Sequence, residues 1–200
     1  MLTSMHIRRI ATFTLIAVTC ILLIWISTPA SIIPPARPTA ALTVHVLDLG
    51  LHPELVLPNS NGELIVYAYG DWNYFALNNQ GFTDGLAALL LPTQGTLGRQ
   101  KYSNLEQLQQ TVKEKDGTLL SFEVTKTKAL QLAQALDQRF IRNINTRLEN
   151  PQTGLTLVKD EQEYTMLHNS NHELVKWLEQ LDCQVEGFVM WANFQVKYRD

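Results

Sequence analysis

Residues 164–173 read YTMLHNSNHE and concentrate His168, Ser170, His172 and Glu173. Two imidazoles four residues apart invite a zinc reading, because ring nitrogens at that spacing share one helical face. The helix here is expected to begin between them, which takes them off a common face, and no third ligand lies nearby in sequence. No metal or other cofactor is therefore expected. Ser170 and Glu173 fit the Ser-x-x-Glu pattern of a capping box, in which both side chains close the first turn of a helix. Trp72, Tyr74 and Phe75 follow Gly70-Asp71 and either line a ligand groove or pack as core and rim. Cys20 sits in an apolar N-terminal segment and Cys183 far away, so they are not expected to pair, and Cys183 reads as a small apolar core residue.

The elements that must position these residues are ordered along 200 residues, of which 46% are hydrophobic. That is enough for one domain with a real core. Arg8 and Arg9 precede an uncharged run whose centre reads IATFTLIAVTCILLIWI. Its length predicts an uncleaved transmembrane anchor over 10–27, with residues 1–9 cytoplasmic and Trp25 near the outer interface. A signal peptide cleaved near Thr28-Pro29-Ala30 is the alternative. The expected location is the inner membrane, single-pass, with the following domain extracytoplasmic. Pro29, Pro34, Pro35 and Pro38 predict a stiff spacer over 28–41. The domain is then expected over 42–200, where 13 Lys plus Arg face 19 Asp plus Glu. A nucleic-acid partner needs a basic face and is excluded on this balance. The membrane is the expected partner, together with an envelope ligand or protein of unspecified kind.

Within the domain, strands are predicted at 43–49, 55–57 and 63–69, with Asn61-Gly62 as a tight hairpin turn. A short helical piece is expected at 83–91, a strand at 119–124, a long helix over 125–147 and a weak strand at 155–158. In the long helix Leu132, Leu136 and Phe140 form a stripe that Ala133, Ile141 and Ile144 widen. A further helix runs to about Leu181, with Leu174, Trp177, Leu178 and Leu181 on one face, and a last strand falls in 187–198. Hairpins with interspersed helices predict an α+β domain with an antiparallel sheet.

Three segments, LGLHPELVLP, ELIVYAYGDWNYF and YTMLHNSNHELVKWLEQLDC, together resemble a bacterial family of membrane-associated proteins of unknown function, the urease-region hypothetical type. The resemblance spans about residues 42–187. That family's layout in turn looks like the circularly permuted papain-like fold of NlpC-type peptidases and lecithin:retinol acyltransferase, with an early His and a late Cys heading a helix. The resemblance implies His52 as the imidazole base, position 170 as the nucleophile, and Asp71, or more weakly Glu63, as the group orienting the imidazole. Here the nucleophile position is Ser170, and Pro53-Glu54 stand where Thr-Gly is usual. A papain-like site depends on a thiolate that a serine does not supply. The expectation is a catalytically degenerate domain used for binding or scaffolding. The alternatives are a serine-dependent hydrolase or acyltransferase acting on an envelope amide or ester, and a purely structural protein.

Overall fold

A computed structural model describes residues 2–48, 52–79, 81, 85, 90–190 and 193–199. Helix α1 (Leu2–Ser27) is followed by β1 (Ala30–Ile33), β2 (Ala41–Asp48), β3 (Pro53–Pro58) and β4 (Leu64–Asp71). A π-helical turn at Trp72–Ala76 leads to β5 (Thr93–Tyr102), α2 (Leu105–Glu114), β6 (Thr118–Thr125) and α3 (Lys126–Arg142). After a 3-10 turn at Ile144–Thr146 come β7 (Leu148–Glu149), β8 (Thr156–Tyr164), α4 (Ser170–Gln180), β9 (Gln184–Glu186) and β10 (Phe194–Val196).

Seven strands form an antiparallel sheet in the order β6-β2-β3-β4-β5-β8-β7. β4 is its middle strand, and all eight of its residues are buried. A strand covered on both faces must be apolar throughout, which is why LIVYAYGD shows no polar alternation. Alternation instead sorts its side chains between two cores. Ile65, Tyr67 and Tyr69 join Leu55 and Leu57 of β3 beneath α3 and α4. Val66 and Ala68 join Val56, Leu108 of α2 and Phe75 on the opposite face. Both helices above the first core bury the expected residues, Leu132, Leu136 and Phe140 from α3 and Leu174, Trp177 and Leu178 from α4. Ile141 and Ile144 do not widen the α3 stripe: Ile141 is exposed on the helix's outer face, and Ile144 is exposed beyond the end of α3 at Arg142. The Asn61-Gly62 hairpin forms as a longer loop, with Pro58 paired to Leu64. The Asn59 carboxamide oxygen accepts from the Asn61 and Glu63 amides at 2.9 and 3.0 Å. The helical piece expected over 83–91 lies largely outside the described residues.

The membrane-anchored fold class is overturned. Among the described residues no helix is long and apolar enough to cross a membrane. α1 contains Arg8 and Arg9, and Thr12, Thr14 and Thr19 lie within its apolar run. The single-pass placement expected from this segment loses its support with it. The side chain of Trp25 lies outside the described residues. The architecture is α+β with a large antiparallel sheet and several helices.

The segment expected as a spacer contains β1, which pairs parallel to β10 and antiparallel to β9 in a second, three-stranded sheet. Ala30 and Ile32 are fully buried in the first core, so packing begins at Ala30.

β5 and β8 carry a bulge between Gln94 and Thr96. A Cβ on Gly95 would strike the carbonyl oxygen of Gln162 and come within 2.6 Å of Tyr69 Oη. Glycine here is a packing requirement. Gly95→Ala should cost about 3 kcal/mol by urea unfolding, the scale of an overpacked core; a loss under about 0.5 kcal/mol would show that the backbone absorbs the methyl group.

Candidate functional site

α4 begins at Ser170, but the residue that caps it is Asn169. Its Oδ1 accepts from the amides of Asn171 at 3.1 Å and His172 at 3.2 Å, and also contacts His172 Nδ1 at 2.8 Å. Ser170 is therefore the first helical residue, and the capping box does not close. Glu173 is committed elsewhere, and Ser170 is 4% exposed with its side chain bonded to Tyr164.

Asp71 ends β4 and caps the π-helical turn. Its Oδ1 accepts from the Tyr74 amide at 2.6 Å, and Thr93 Oγ1 donates to its Oδ2. Thr93 Oγ1 also lies 3.4 Å from the Tyr164 carbonyl oxygen. Burial, and secondarily the Asp71 charge, push the Tyr164 phenol up to about 12. Asp71, Tyr164 and Ser170 are thus neighbours along one edge of the first core.

His52 is not with them. It precedes β3 and packs its ring against Phe75 of the second core, with centroids 4.7 Å apart. Its Nδ1 is buried without a hydrogen-bond partner. Phe75 belongs to the cluster of Val56 and Val66, on the other side of the sheet from the cluster holding Leu174 and Trp177 of α4. Asp71 engages Tyr74 and Thr93, Ser170 adjoins Tyr164, and His52 stacks on Phe75. Glu63 sits in the β3–β4 loop, bonded to Asn59 Nδ2 and Lys101 Nζ, each at 2.8 Å. Trp72 and Phe75 pack with the second core.

A different cluster occupies the ground between α3, α4 and β8. Arg139 grips Asp160 with Nε and Nη2 at 2.7 and 2.8 Å, and its Nη1 donates to Glu173 Oε1. Glu173 also accepts from Trp177 Nε1 at 3.1 Å and meets His168 Nε2 at 2.7 Å. Burial would raise the Glu173 carboxyl, but the Arg139 guanidinium and His168 hold it below the ordinary range. Burial works against the charged Arg139, yet Asp160 and Glu173 raise its pKa above the usual value. Arg139 lies over the Tyr69 ring at 5.6 Å, and Tyr69 stacks between Tyr164 at 6.0 Å and His168 at 5.2 Å. Burial first, then the Asp160 and Glu173 charges, keep the Tyr69 phenol protonated. His168 and His172 hold separate partners, and among the described residues no group of three or more His, Cys, Asp or Glu could hold a metal ion.

Sequence reasoning missed Arg139 and Asp160 and read Glu173 only as a cap. A signal was present. Arg139 follows Leu136 by three and precedes Phe140, Glu173 precedes Trp177 by four, and Asp160 shares strand parity with buried Val158. Charges on core-facing positions demand a buried counter-charge. Cys183 behaves as expected, 3% exposed, with burial pushing its thiol up to about 12.

No family model, curated protein or solved structure matches the chain. The local chemistry of β3 nevertheless yields a direct test. Burial lowers His52 to about 4 from 6.5. Burial raises Glu54, two residues on, to about 7 from 4.5, against the opposing Lys115 charge. The unfolded chain protonates His52 near 6.5 while the folded chain resists until about 4, so that stability is present above 6.5 and lost as pH falls between them. Folded Glu54 keeps its proton up to about 7 while the unfolded chain releases it near 4.5, so that contribution is present below 4.5 and lost as pH rises between them. Glu54→Gln should stabilise by on the order of 2 kcal/mol at about pH 8 and far less at about pH 4.5, and His52→Leu should flatten the acid limb between about pH 6.5 and 4. Equal effects at both ends, by urea unfolding, would contradict these environments.

Proposed function

We propose that this domain binds a ligand or partner without transforming it, its catalytic-looking residues serving the fold. The observation that carries the reading is the separation of His52 from Ser170. A serine hydroxyl attacks only when a base removes its proton in the transition state. His52 is held against Phe75, and burial keeps its ring neutral and weakly basic. Ser170 is buried, which shields its hydroxyl from an incoming acyl group, and its partner is Tyr164. Asp71 spends its carboxylate oxygens on Tyr74 and Thr93.

The rival, a serine-dependent hydrolase or acyltransferase, has one feature in its favour. His168 is an imidazole oriented by a carboxylate, Glu173, and precedes Ser170 by two residues. A fluorophosphonate probe decides between the two, because it reacts only with an activated serine. The expected result is no labelling that depends on Ser170. Labelling that is abolished by Ser170→Ala, and weakened by His168→Ala, would overturn the binding reading.

A further inference from the structure

The cleft beside Glu173, about 320 Å³, has little to offer a ligand, because the donors of Arg139 are taken by Asp160 and Glu173. A larger cleft of about 530 Å³ opens between β5, β7 and the end of α3. Its walls carry Arg99, Lys101 and Arg147, with one acidic residue, Glu149. Arg99 pairs with Asp137 and Lys101 with Glu63, which leaves Arg147 as the cation of this lining with no ion pair among the described residues, and an unpaired guanidinium attracts anions.

We infer that this cleft binds a small organic anion, its charged group meeting Arg99 and Arg147 and its apolar part lying on Phe140 and Ile144. The inference rests on the binding reading above and names the chemical class bound. Arg99 is set in place before any ligand arrives. Its Nε approaches Asp137 Oδ1 at 3.1 Å yet is buried without a hydrogen bond. Asp137 is itself fixed by Tyr67 Oη at 2.8 Å. The guanidinium sits 6.0 Å from the Phe140 ring, a surface that orients its plane. Arg147 has no ion-pair partner among the described residues. Glu149 accepts from Thr156 Oγ1 at 2.7 Å, and Lys101 pairs with Glu63 at 2.8 Å in an exposed position. The floor supplies apolar contact from Ile144, which is 42% exposed. Gly154, at φ +80°, keeps the mouth open; a Cβ there would come within 3.0 Å of the Gln100 amide. A preset guanidinium, a second arginine with no ion-pair partner and an apolar floor suit a phosphate monoester or a carboxylate bearing a ring or short chain.

The test is an NMR titration of the full 15N-labelled chain with phenyl phosphate, benzoate, inorganic phosphate and neutral phenol. Phenyl phosphate, benzoate or both should shift the Gly154 and Thr156 amides saturably, and more weakly as salt is added. Arg147→Gln, at an exposed site that leaves the fold intact, should weaken binding about tenfold, the loss of one charge-assisted contact. Ile144→Ala should weaken phenyl phosphate and spare inorganic phosphate. No saturable shift at these amides with any of the anions at millimolar concentration would overturn the inference. So would shifts indifferent to Arg147→Gln, or equal shifts from phenol. Serine labelling by the fluorophosphonate would overturn the binding reading while leaving the cleft's anion affinity to be judged on the titration alone.

Discussion

Arg139 carries a full charge into the space between two helices and a strand, and three elements must arrive correctly for that charge to be tolerable. α3 brings the guanidinium, β8 brings Asp160, and α4 brings Glu173. Side-chain exposures of 12%, 1% and 2% put all three groups where water cannot compensate an absent partner. A buried triad of this kind adds little net stability over a well-packed apolar set, yet removing one member strands the others. Its effect is on arrangement. α4 cannot slide along the sheet without drawing Glu173 away from Arg139 and leaving both imperfectly paired. The Tyr69 ring beneath Arg139, and Tyr164 and His168 stacked on it, inherit their positions from the same constraint.

The sheet explains the rest of the geometry. β4 is buried on both faces, so its alternation assigns neighbours to separate environments. Tyr67, Tyr69 and Asp71 point toward the helices, where Tyr67 Oη reaches Asp137 and the Ala133 carbonyl of α3 at 2.8 and 3.3 Å. Gly70 falls between Tyr69 and Asp71 and has Phe75 pressed against it; a Cβ there would stand 2.6 Å from the ring. That ring is the one on which His52 stacks. The parity of a single strand thus places Asp71 on one face and the wall that holds His52 on the other.

Much of this was legible in the sequence where packing follows simple periodicity. The strands β2, β3, β4 and β6 and the helices α3 and α4 are written as apolar runs or stripes. β5 was not legible, because TQGTLGRQKY has a single aliphatic residue, Leu97, and two glycines whose purpose is close approach to Tyr69, Leu155 and Leu157. α2 follows a polar stretch and is marked mainly by Asn104, whose side chain accepts from the Gln107 amide at 2.9 Å. The N-cap of α4 was read one residue late. Asn169 and Ser170 both suit that role, and what selects Asn169 is tertiary: Glu173 is drawn into the charge cluster and does not turn back to close a box. The proline-rich segment after α1 looked like a spacer because four prolines outweigh four residues of ASII, yet those four complete a second sheet. Length and apolarity suggested a membrane helix, and among the described residues no helix is long and apolar enough to cross a membrane.

The dependence of the fold on Arg139 is measured most directly by Arg139→Met, which keeps the aliphatic stem and removes the charge. Urea unfolding at neutral pH should show a loss of about 3–5 kcal/mol, because Asp160 and Glu173 are left charged and buried without a partner. Adding Asp160→Asn and Glu173→Gln to that variant should recover a substantial part of the loss, since no stranded charge remains. A loss of about 1 kcal/mol or less for Arg139→Met, or no recovery on neutralising both carboxylates, would contradict the account of this cluster as the constraint that fixes α3, β8 and α4 together.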